Sequence, residues 1–74
     1  MTLYELMNNT TIQGDVKIRV FNEKDYEEVG MKLLKGIDDL SVEPLPEEWE
    51  DLEVRYIYYA DKCINIELYT KEDE

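Results

Sequence analysis

Between Ile37 and Glu53 the chain carries eight carboxylates and no lysine or arginine: Asp38, Asp39, Glu43, Glu47, Glu48, Glu50, Asp51 and Glu53. Carboxylates at that density can exchange protons in pairs, hold a divalent cation, or present negative charge to a basic partner. The first use, as in glycoside hydrolysis, needs a cleft that holds a sugar. A chain of 74 residues hardly has the core to build one. The second needs ligand spacing. The acids do not follow the D-x-[DN]-x-[DN]-G pattern of a calcium loop, and Asp38-Asp39 is too little for a cage. Weak, nonspecific calcium binding is the most this window supports. The third use, charge display, remains.

Other chemistries fail by inventory. With no histidine there is no Ser-His-Asp or Cys-His arrangement and no ordinary zinc site. Gly14, Gly30 and Gly36 are scattered, and neither phosphate-cradling glycine motif occurs. Cys63 is the only cysteine, so no internal disulfide forms; in a strand beside Ile64, with Lys62 its only basic neighbour, it reads as a small half-buried hydrophobe. The expectation is a noncatalytic chain without cofactor or metal.

The charge balance narrows the partner. Nineteen acids against eight basic residues give −11, which disfavours anionic membranes and nucleic-acid backbones as direct partners. It favours a basic protein surface. Two readings of the window follow: a solvated face that keeps the protein soluble, or a mimic of nucleic acid. Duplex DNA presents one negative charge per roughly 1.7 Å of axis, and comparable carboxylate density suits a groove lined by Lys and Arg, as in a nuclease, repressor or polymerase. Six tyrosines offer a second surface, four of them at Tyr56, Tyr58, Tyr59 and Tyr69. They pair across strands and fill the core, or they form a contact patch. Strict alternation places Ile57, Tyr59 and Tyr69 opposite Tyr56, Ile64 and Ile66, which makes that face a candidate dimer interface.

The elements that must hold these residues follow from local patterns. Thr2 and Glu5 have capping-box spacing, and Leu3, Leu6 and Met7 share one helical face, with Asn8-Asn9 suited to a left-handed closing turn. Val16, Ile18 and Val20 alternate with Lys17 and Arg19 as in a strand, and Asn22 to Asp25 forms a polar turn. Residues 26–34 fit two readings. Val29, Met31 and Leu33 alternate as in a strand, while Tyr26, Val29, Leu33 and Ile37 also fit a helix face capped by Gly36. The short polar loop before them and Gly30 within them favour the strand, closing a hairpin. Pro46 suits the start of a single helical turn to Asp51, with Trp49 and Leu52 inward and Glu47, Glu48, Glu50 and Asp51 outward. Val54 to Tyr59, apolar on both faces like a central strand, and Ile64 to Tyr69 form a second hairpin around Ala60-Asp61-Lys62.

The sum is one α+β domain over residues 1–70: a short N-terminal helix and a four-stranded antiparallel sheet of two hairpins, with an acidic helical turn in the connector. Residues 71–74 are expected to be a frayed acidic tail. The N-terminus lacks the basic start and apolar stretch of a signal peptide, so a cytoplasmic location is expected.

Three segments, Leu3-Tyr4-Glu5-Leu6-Met7, Thr11-Ile12-Gln13-Gly14-Asp15-Val16-Lys17-Ile18-Arg19-Val20-Phe21 and Asp51-Leu52-Glu53-Val54-Arg55-Tyr56-Ile57-Tyr58, carry a resemblance over nearly the whole chain. The chain resembles a group of small acidic proteins encoded on prophages and integrative mobile elements of Firmicutes, Thr-Ile-Gln-Gly being the most specific part. The resemblance implies a bacterial cytoplasm and a mobile element's accessory genes, and assigns no residue a role. Small acidic proteins in that setting include inhibitors of restriction and CRISPR nucleases.

Overall fold

A computed structural model describes residues 1–70. The first helix, α1 (Leu3–Asn9), starts where the capping box predicts: Thr2 Oγ1 accepts the Glu5 amide and the Glu5 carboxylate accepts the Thr2 amide. Its other end departs from expectation. Neither asparagine enters the left-handed region; their side-chain amides instead donate back to the carbonyls of Tyr4 and Glu5.

Four strands follow, β1 (Gly14–Phe21), β2 (Glu28–Ile37), β3 (Glu53–Ala60) and β4 (Cys63–Tyr69), in the spatial order β2-β1-β4-β3. Residues 26–34 thus belong to a hairpin, not a helix. Both hairpins are antiparallel, but their junction is not: β1 and β4 run parallel, with Ile18 beside Ile66. The sheet is therefore mixed rather than wholly antiparallel. Strand β3, apolar on both sides, also proves to be an edge strand instead of a central one; β1 and β4 occupy the centre.

This topology sets the connector's job. With β1 parallel to β4, β2 and β3 point the same way from opposite edges. The chain leaving Ile37 must cross one face of the sheet and return along its length before β3 can start. On the way it makes two 3-10 turns, Leu40–Val42 and Glu47–Asp51. Leu40 is buried, and Leu45, Trp49 and Leu52 pack against the core beside Leu3 and Leu6 of α1. Beneath this cover lie Val16, Ile18, Val20, Leu34, Ile66 and Leu68. The core thus sits on one side of the sheet, under the helix and the connector together. The opposite side has no covering element among the described residues. No helix is long and apolar enough to cross a membrane. The expected tail, residues 71–74, lies outside the described residues.

Candidate functional site: an acidic connector and an uncovered sheet face

The acidic window is anchored by its apolar residues and displays its charges outward. Asp38, Glu47, Glu48, Asp51 and Glu53 are exposed, while Asp39, Glu43 and Glu50 are partly covered. Two of the eight have local duties. Asp39 caps the first 3-10 turn, its Oδ1 accepting both the hydroxyl (2.7 Å) and the amide (3.0 Å) of Ser41. Those bonds hold its carboxyl below the ordinary aspartate range. Glu53 pairs with the N-terminal ammonium at 3.1 Å. Among the described residues, the other six lie within ion-pair reach of no lysine or arginine. The predicted inward positions hold, since Trp49 and Leu52 pack on the core. Around the second 3-10 turn, Tyr4 of α1 borders a surface hollow with Glu47, Glu50 and Asp51.

Gly30 is what admits the tryptophan. A β-carbon there would stand 3.1 Å from Trp49 Cζ2. Gly30→Val should therefore displace the indole, red-shift its fluorescence and cost about 1–3 kcal/mol by overpacking. An unshifted spectrum with unchanged stability would show that the connector is not seated on Gly30.

The uncovered face is organised around Arg19 and Tyr69. Arg19 Nε donates to Glu28 at 2.9 Å, and its Nη1 lies 3.5 Å from the Tyr58 hydroxyl and 3.8 Å from Glu67. Tyr58 in turn donates to Glu67, which holds its phenol above the ordinary range. Tyr69 stacks on Phe21 at 5.4 Å and meets the edges of Tyr26 and Tyr56 at 6.1 and 6.3 Å. The Arg55 guanidinium lies 4.9 Å from the Tyr69 ring centre and pairs with Glu23.

The expected dimer patch of Ile57, Tyr59 and Tyr69 is not one surface. Ile57 pairs with Ile66 and Tyr59 with Ile64, both on the helix side, whereas Tyr69 lies on the uncovered side and is nearly buried. The cause is a bulge: the register slips between Val54 and Tyr56, so Arg55 and Tyr56 together oppose Glu67. Each later side chain of β3 then switches faces relative to strict alternation. Tyr56 and Tyr58 join the uncovered face instead, with Met31 and Leu33 from β2. The alternation of Met31 and Leu33 is the sequence signal for that stripe, since their neighbour Leu34 is the buried one; Val29, at the register slip, instead borders a hollow with Trp49 and Leu52.

A scan against protein-family models and searches of curated proteins and solved structures found no match. Chemistry must therefore be read from geometry alone. Among the described residues no three His, Cys, Asp or Glu side chains are grouped to hold a metal ion. Cys63 is buried, its thiol donating to the Ala60 carbonyl at 3.4 Å. The arrangement is suited to contact: an acidic surface on one side, an aromatic and ion-paired surface on the other.

Proposed function

We propose that this chain is a noncatalytic acidic binding protein that engages a basic protein surface through Asp38 to Glu53. The observation that carries the reading is the coupling of free charge with fixed position. Asp38, Glu43, Glu47, Glu48, Glu50 and Asp51 form no ion pair with a lysine or arginine among the described residues, yet their segment is pinned by Leu40, Leu45, Trp49 and Leu52. Uncompensated like charges destabilise a small domain, and a pinned display loses little entropy on binding. The natural receiver is a Lys- and Arg-lined groove built for nucleic acid, with the carboxylates standing in for phosphates. The resemblance to prophage and mobile-element proteins supports a bacterial cytoplasmic setting and a nuclease or other nucleic-acid-binding protein as target.

The uncovered face supports a second reading, a small structural or regulatory subunit docking through Tyr56, Tyr58, Met31 and Leu33, with the acids serving solubility. One experiment separates the two. Immobilised protein is exposed to bacterial lysate at low and high salt, beside a variant carrying Glu47→Lys, Glu48→Lys, Glu50→Lys and Asp51→Lys whose fold is checked by circular dichroism. Mimicry requires basic partners that duplex DNA displaces, that high salt releases and that the variant loses. Partners retained equally by the variant and at high salt would overturn it and favour apolar docking.

A further inference from the structure

The two edges of the sheet are treated differently. Edge β2 carries the devices that discourage strand pairing: Lys32 and Lys35, a register slip opposite Phe21, and Gly36 in the left-handed region. The connector also passes it, where the Lys32 ammonium donates to the Pro44 carbonyl. Edge β3 is protected only at its start, by the N-terminal residues and by the bulge at Arg55–Tyr56; from Tyr56 to Tyr59 it carries no such guard. Val54 donates to Met1 and Leu3 donates to Leu52, which cover the start of the edge and stop there. From Arg55 to Tyr59 every residue is exposed, and no acid occurs between Val54 and Ala60 in a chain that holds nineteen.

The unpaired groups on that edge follow from the turn. Asp61 and Lys62 have φ of 56° and 64°, the pair of positive values that defines a type I′ two-residue hairpin. Ala60 and Cys63 close that hairpin as a hydrogen-bonded pair, and bonding alternates along an antiparallel ladder. Tyr58 therefore bonds to Asn65, while Ile57 and Tyr59 aim their N–H and C=O groups away from β4, off the edge.

We propose that β3 is a homodimerisation edge, on which two copies pair antiparallel about Tyr58 into a continuous eight-stranded sheet. The register is fixed by the outward groups: Ile57 bonds Tyr59 of the second copy, reciprocally, and Tyr58 faces Tyr58 of the second copy as the non-bonded pair between them. Faces match in this register, because Ile57 and Tyr59 both lie on the helix side. Charge agrees as well. Arg55, at the bulge, and Asp61, in the turn, flank the paired segment, so at each end of the joint a base of one copy lies toward an acid of the other. The two acidic connectors, each entering at Glu53, are held apart by roughly 30 Å at about 3.3 Å per residue, several screening lengths at physiological salt.

Cysteine crosslinking on a Cys63→Ser background tests the register, and sedimentation velocity tests the association. Tyr58→Cys should crosslink to itself under mild oxidation, since a non-bonded pair brings Cα atoms to about 4.5 Å, within disulfide range. Ile57→Cys and Tyr59→Cys should each stay uncrosslinked alone and crosslink when mixed. Tyr59 is 73% exposed, so Tyr59→Lys leaves the monomer folded and should abolish the dimer boundary. Added salt should strengthen this dimer, because it screens repulsion between two chains of −11 each; contacts made by the acidic connector weaken with salt. A monomer at all concentrations, a dimer indifferent to Tyr59→Lys, or crosslinking in another pattern would each overturn the proposal.

Discussion

Ile18→Ala is expected to remove a large share of the domain's total stability. Ile18 has no exposed surface and sits in β1 where the two hairpins meet, beside Ile66, which is equally buried. Truncating a core isoleucine costs about 2–5 kcal/mol, through lost burial and the cavity left behind. At roughly 0.05–0.15 kcal/mol per residue, a domain of 74 residues has only about 4–11 kcal/mol in total. Urea titration followed by Trp49 fluorescence and by circular dichroism should show one shifted transition by both probes. Val42→Ala is the matched control: Val42 is 74% exposed, and its loss should stay within about 0.5 kcal/mol. Equal costs at the two positions would contradict the placement of the core.

Tyr69→Ala should be nearly as damaging, although Tyr69 lies on the face that no helix covers. Its ring is the centre of the aromatic group, stacked on Phe21, edged by Tyr26 and Tyr56 and overlain by Arg55. Aromatic truncation at a buried site costs about 3–5 kcal/mol. Tyr69→Phe keeps every one of those ring contacts and should cost less than about 1 kcal/mol. The pair of variants also carries a pH signature. Burial raises the Tyr69 phenol above its ordinary value. A raised folded value means that the neutral form is favoured by folding, so this contribution is complete below the ordinary phenol range and is lost as pH rises through the folded value. Tyr69→Phe should therefore blunt alkaline unfolding. A steeper alkaline loss in Tyr69→Phe would invert the assignment.

Much of this architecture is legible in short stretches of chain. The Thr2–Glu5 capping box, the alternation of Val16, Ile18 and Val20, and the inward spacing of Trp49 and Leu52 each act within a few residues. Such signals report which face of an element is apolar, and that suffices for one helix, two hairpins and a seated acidic turn. They fail where two local bonds compete for one side chain, or where the deciding contact is distant. Asn8 and Asn9 suit a left-handed cap, yet their amides found the carbonyls one turn back. Strand β3 reads as central because it is apolar on both faces, but the same pattern fits an unguarded edge.

The sequence by itself determined the density of carboxylates, the absence of histidine chemistry and the pairing of neighbouring strands, because each depends on residue type or on contacts made across a short turn. The tertiary structure decided three things. It joined the hairpins in parallel, which sends the acidic connector across the sheet and seats it as half of the core's cover. It placed a bulge at Arg55–Tyr56 that moves Ile57 and Tyr59 to the helix side, away from Tyr69. It put β3 at the rim. All three depend on which strand lies beside which, a choice made by burial over the whole sheet and by no local periodicity.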